Sequence, residues 1–184
     1  VGDRVVHVRG PEGIRTARRH HDLLGLHAAL GGDGEPNVDG EPWTSPDILR
    51  RVRAVAGADA ELARSAEWDR FDILPLLVAT DGAVAAFGRD VRRLRPNIVI
   101  DGVAAWAEQS WVGGMLRVGE VAFEALVPKV RCLATHANPL TGERDVQVMQ
   151  LLMRMFAQRE PPFGVGMLSE AGGEIRGGDT VAQA

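Results

Sequence analysis

Cys132 is the only cysteine in 184 residues, and it follows two cations in the run Pro128-Lys129-Val130-Arg131-Cys132-Leu133. A thiolate is both a nucleophile and a soft metal ligand, and nearby positive charge favours that ionised form. The chemistry open to such a thiol is metal ligation, sulfur carriage or nucleophilic attack. Against these stands a packed core thiol, because cysteine buries like a small hydrophobe. Composition alone favours the core thiol. The spacing predicts Cys132 on a strand, from which Arg131 and Lys129 alternate to the opposite face.

A second polar concentration is Arg93-Leu94-Arg95-Pro96-Asn97, leading into the apolar run Ile98-Val99-Ile100. The planar fork of Arg95 suits a phosphate or carboxylate, and the Asn97 amide offers a donor and an acceptor together. A solvated arginine cluster ending in an asparagine turn is the competing reading.

Other chemistries find less support. The five histidines show no metal-ligand spacing, so a zinc site of ordinary type is not expected. His136 lies four residues beyond Cys132 and shares its face only if the strand continues unbroken. A cysteine–histidine hydrolase also needs an oxyanion hole and a third orienting group, and neither is identifiable. No glycine-rich dinucleotide or ATP motif is present, and Gly113-Gly114 and Gly172-Gly173 read as turns. The four tryptophans carry most of the aromatic bulk. Trp106 and Trp111, flanking Glu108, read as core or lid packing.

These groups need elements to hold them. Residues 5–8 and 14–16 are predicted as a hairpin around Gly10-Pro11-Glu12-Gly13. Leu23 to Leu30 is ambiguous between helix and strand, and residues 31–42 read as a loop. Ser45-Pro46-Asp47 opens a helix expected to reach about Val55, with Ser45 as cap. A buried strand over Phe71–Ala79 leads to Thr80, which caps a helix expected to run through Val91. A strand ends at Ile100, a hairpin turns at Gly119-Glu120, and the helical spacing of Val148, Leu151, Leu152, Met155 and Phe156 predicts a helix over 145–156. The tail, 163–181, reads as two short strands joined near Gly172-Gly173. Many short strands with few helices point to an α+β, mainly β fold: a partly closed β-barrel with peripheral helices.

Hydrophobic residues at 45%, charged residues at 25% and a net charge of -4 describe an ordinary globular chain without a basic field for nucleic acid. No apolar run approaches the roughly 18 residues of a membrane span. A lone cysteine and the absence of a signal-peptide pattern suit a reducing, cytoplasmic setting.

In order, Arg95-Pro96-Asn97-Ile98-Val99-Ile100, Ala107-Glu108 through Trp111, Leu116-Arg117-Val118-Gly119, Arg131-Cys132 and Asn138-Pro139-Leu140-Thr141-Gly142 resemble the MOSC domain. That is the C-terminal domain of molybdenum cofactor sulfurases, found also in the mitochondrial amidoxime-reducing component and in stand-alone bacterial proteins. Gly2-Asp3-Arg4, Gly13 and Thr16-Ala17-Arg18 resemble the hairpin preceding it in the reductases. The resemblance implies one MOSC-like domain over 1–184, with residues 1–30 as the preceding hairpin region and 65–184 as the core. It implies a MOSC-type β-barrel and a molybdenum cofactor (a molybdenum–pterin, Mo-molybdopterin) with Cys132 as metal ligand and catalytic centre. Arg4, Thr80, Arg95, Asn97, Arg131, Phe163 and Gly164 would be its cofactor contacts, Phe163-Gly164 in a late loop. The implied activity is reduction of N-hydroxylated or other N-oxygenated small molecules, with electrons from a separate donor protein. Alternatives are a persulfide carrier through Cys132, served by a sulfur donor, and a non-catalytic binding module. Ala83, His136 and Asn138 depart from the family's usual serine, threonine and aspartate.

Overall fold

The computed structural model describes residues 4–65, 74–169 and 171–183. The chain divides into two compact units, residues 1–72 with 132–148 and residues 73–131 with 149–184.

In the first unit the expected hairpin is present. Strand β1 (Val6–Gly10) pairs with β2 (Gly13–Ile14), Arg9 facing Ile14. The guanidinium of Arg15 packs over Gly10 and donates to Glu12, Asp59 and the Ala56 carbonyl. The 23–30 ambiguity resolves into a 3-10 turn (His21–Gly25) and strand β3 (Ala28–Leu30). The predicted loop at 31–42 instead contains β4 (Pro36–Val38) and β5 (Glu41–Pro42), which form a small sheet with β3. Its glycine-rich turns disguised the short strands between them. Helix α1 (Pro46–Ala56) starts as predicted, Ser45 Oγ accepting from the Asp47 N–H at 3.2 Å. Its buried stripe of Ile48, Val52 and Ala56 forms the unit's core with Ala60, and β6 (Glu61–Arg64) pairs with β1.

The second unit is built on a six-stranded, barrel-like sheet. Strands β7 (Leu76–Thr80), β8 (Ile98–Ile100), β9 (Met115–Val118), β10 (Val121–Val130), β11 (Pro162–Leu168) and β12 (Val181–Gln183) run in the order β12-β9-β10-β11-β7-β8. Among the described residues only β7 and β8 pair in parallel, and the crossover between them carries helix α2 (Asp81–Phe87). Inward-facing Val78, Leu116, Val118, Phe123, Ala125, Val165 and Met167 make the core. With helix α3 (Val148–Phe156), the described residues form the expected α+β, mainly β fold. Residues 71–73 of the predicted Phe71–Ala79 strand lie outside the described residues.

The tail holds two strands as expected, β11 lying between β10 and β7 and β12 joining β9. Two expectations need correction. Helix α2 ends at Phe87 rather than Val91, because Gly88 takes the left-handed conformation (φ 62°) that caps helix C-termini. Cys132 is not on a strand. Strand β10 stops at Val130 after register shifts between Ala125 and Val127 and between Pro128 and Val130, where a proline without an N–H weakens the ladder.

Candidate functional site

Cys132 stands at the head of a 3-10 turn over Leu133–His136, extended at φ -128° and ψ 176°. Its carbonyl accepts from the Thr135 N–H at 3.1 Å and from Thr135 Oγ1 at 2.8 Å. Thr135 is buried, so the cysteine backbone is clamped while its side chain stays half-buried. Alternation along a strand therefore no longer separates Cys132 from Arg131. Burial first, and the charge of Arg144 second, hold the His136 imidazole below its usual pKa.

The segment after the cysteine is a tight turn. Asn138 Oδ1 accepts from the Leu140 N–H at 2.9 Å, and Asn138 Nδ2 donates to Asp145 at 2.9 Å. Gly142, at φ 78°, lies against the 21–25 turn, where a Cβ would approach the Gly25 nitrogen to 3.0 Å. Asn138-Pro139-Leu140-Thr141-Gly142 thus fixes the chain leaving Cys132. Arg4, also in the first unit, is exposed with φ 55°, and its carbonyl accepts from His7 Nδ1 at 3.1 Å.

In the second unit, Arg131 Nη2 donates to the Leu94 carbonyl at 2.7 Å. This ties the residue before the cysteine to the residue before Arg95. Arg95 is exposed, with a left-handed backbone (φ 53°). Asn97 is held against β7 twice: its N–H donates to the Leu77 carbonyl, and its Oδ1 accepts from the Leu77 N–H, both at 2.8 Å. The structure therefore brings Arg131 to the Arg95–Asn97 segment and gives Asn97 a strand-like anchorage.

Thr80, Phe163 and Gly164 come together elsewhere in the same unit. Phe163 and Gly164 are buried on β11, not in a loop. Thr80 Oγ1 accepts from the Ala83 N–H at 3.1 Å and lies 3.0 Å from Glu108 Oε2. The Gly82 N–H is taken by the Val103 carbonyl at 3.2 Å. The first turn of α2 is therefore used internally. Asp81 accepts from the Gly82, Gly102 and Val103 N–H groups at 2.8, 2.9 and 3.0 Å. The Gly102 and Val103 bonds, the largest causes, hold its carboxyl below the usual range.

The 3-10 turn Ala107–Trp111 packs on β7 and β11. Gln109 Nε2 donates to the Gly164 carbonyl at 3.3 Å, and Trp106 stands edge-on to Phe163 and Phe156 at centroid distances of 5.8 and 4.6 Å. Gln109 and Thr135 were not singled out from the sequence, although Gln109 falls inside the Ala107–Trp111 stretch that carries the family resemblance. The described residues contain no group of three His, Cys, Asp or Glu side chains able to hold a metal ion. They contain no helix long and apolar enough to cross a membrane.

The barrel-like sheet with its few helices is the fold that the sequence resemblance implied. The family model of the MOSC domain matches residues 81–182, and the chain belongs to the MOSC domain family. It is similar to "Mitochondrial amidoxime-reducing component 1" of Mus musculus, 28% identical over 157 residues, which is 77% of this chain and 44% of that protein. It is also similar to "Mitochondrial amidoxime reducing component 2" of Homo sapiens, 29% identical over 126 residues, covering 60% and 37% respectively. The chain spans less than half the length of these curated relatives.

Proposed function

We propose that this chain binds the molybdenum cofactor through Cys132 and reduces N-hydroxylated or other N-oxygenated small molecules. The observation that carries the reading is the half-buried thiol of Cys132, on a backbone clamped through its carbonyl and directly following Arg131, whose guanidinium donates to Leu94. A soft thiolate suits molybdenum. With no three-ligand cluster among the described residues, a metal held by Cys132 must bring its remaining ligands with it, as a pterin-borne metal does.

In this reading Cys132 supplies the protein's sulfur ligand. Arg95, Asn97 and Arg131 hold the anionic and amide groups of the pterin and its phosphate, for which guanidinium forks and a carboxamide are suited. Arg4 adds a further cation. Thr80, Phe163 and Gly164, at the start of α2 and on β11, are the remaining contacts that the family resemblance implies. When bound, the cofactor supplies two-electron redox chemistry. Reduction of an N–OH group consumes two electrons and two protons and releases water; a separate donor protein provides the electrons.

The test is metal analysis of protein made in a host that assembles the cofactor. Wild type should carry molybdenum and Cys132→Ser should lose it, together with reduction of an amidoxime by a chemical reductant. Wild-type protein without molybdenum under every loading condition overturns the reading. A second reading, a persulfide carrier, draws on the partial exposure of the thiol. Mass spectrometry after incubation with a desulfurase would then show a sulfur adduct that Cys132→Ala abolishes.

A further inference from the structure

Glu108 is fully buried. Glutamate is almost never found so unless paired, because removing its polar head from water is costly. Here the pairing is incomplete. Oε2 lies 3.0 Å from Thr80 Oγ1, whereas Oε1 has no hydrogen-bond partner among the described residues. A site needing only bulk would be better served by an apolar side chain of similar size. The carboxylate therefore requires a reason beyond packing.

Its surroundings supply one. Thr80, Phe163 and Gly164, three buried residues that this reading counts among the cofactor contacts, all touch the same short segment: Thr80 through Glu108, Phe163 through Trp106, Gly164 through Gln109. The segment enters its 3-10 turn through Trp106 at φ 69°, a strained conformation for so bulky a residue that persists only where the surroundings over-determine it. The Thr80 hydroxyl has one proton and accepts from the Ala83 N–H. That proton has two acceptors in reach, Glu108 Oε2 at 3.0 Å and the Ala104 carbonyl at 3.3 Å, and the shorter contact to Glu108 sets the direction of the hydroxyl and, with it, the first turn of α2.

We propose that Glu108 is a positioning residue for the cofactor site: its carboxylate sets Thr80 and α2 against β11. This rests on the cofactor reading above. The role separates from simple packing because the two respond oppositely to an apolar replacement. Glu108→Leu removes a half-paired buried carboxylate while keeping bulk, so the cofactor-free protein should unfold at the same temperature as wild type or higher. The loaded protein should nevertheless lose molybdenum about tenfold faster during dialysis, the scale on which supporting contacts act at metal sites. Glu108→Gln, which keeps an acceptor for Thr80, should restore most of the retention, whereas Thr80→Val should lose molybdenum faster and also unfold at a lower temperature, because it strips the cap from the Ala83 N–H and leaves Glu108 unpaired. Leu116→Ala, a core cavity on β9, supplies the comparison for generally lowered stability. Retention in Glu108→Leu equal to wild type, or molybdenum loss that simply follows unfolding temperature across all variants, overturns the proposal. Should Glu108→Leu fail to fold, Glu108→Met, apolar and of similar bulk, carries the same two measurements. Wild type without molybdenum refutes the cofactor reading itself, so the two failures are distinguishable.

Discussion

The guanidinium of Arg131 donates from Nη2 to the carbonyl of Leu94, 2.7 Å away. That single bond links the end of β10 to the turn carrying Arg95, Pro96 and Asn97. Arg131→Lys keeps the charge but loses the planar fork, and a charge-assisted bond of this kind contributes about 1.5–3 kcal/mol. Molybdenum retained after equal loading should therefore fall about tenfold or more, with secondary structure by circular dichroism unchanged. Retention equal to wild type would remove Arg131 from the site.

Gly164 sits at φ 73°, and a Cβ there would come within 2.5 Å of the Val78 carbonyl oxygen on β7. Alanine is penalised by the left-handed backbone, about 1–2 kcal/mol, and again by collision with main chain that cannot swing aside. Gly164→Ala should lower thermal stability by more than that amount. An unchanged unfolding midpoint would show that β11 relaxes freely from β7.

Asp81 has a carboxyl held below its ordinary value by N–H donors from Gly102 and Val103. Its folded-state pKa is depressed, so its contribution is fully present above the unfolded value of about 3.9 and is lost as pH falls through the lowered one. Wild type should lose stability on acidification through that range, and Asp81→Asn should show a shallower slope. Parallel slopes in the two proteins would exclude the mechanism.

His136 titrates with the opposite chemistry and the same sign. Burial and Arg144 disfavour its cation, so below about pH 6.5 the unfolded chain binds a proton that the folded chain does not. Stability should therefore fall as pH drops from 6.5 toward the depressed value. His136→Gln should remove that part of the dependence. Unfolding midpoints at pH 7.5 and 5.5 give the comparison.

Much of this was readable in the residues. The Ser45 cap, the Gly10–Gly13 hairpin turn and the β9–β10 hairpin at Gly119 follow from local backbone chemistry, and the structure places them as expected. What was not readable depends on partners distant in sequence. The pairing of β12 with β9 joins Val181 to Val118, and no local pattern announces it. The end of β10 before Cys132 depends on how its register with β11 shifts. Glu108 depends on a distant partner too: its neighbours Trp106 and Trp111 suggest packing, but only the fold reveals that Thr80, 28 positions earlier, meets it inside.

The division of the chain also dictates an order of assembly. Each unit is discontinuous, and the chain passes between them after residues 72, 131 and 148. Neither can be completed by a growing polypeptide until synthesis has gone beyond Cys132: the first still lacks 132–148, the second β11 and β12. A chain halted at Arg131 would hold both units unfinished, with β10 missing its β11 partner and β9 its β12 partner. The thiol thus enters with the segment that completes the first unit and ahead of the strands that complete the second.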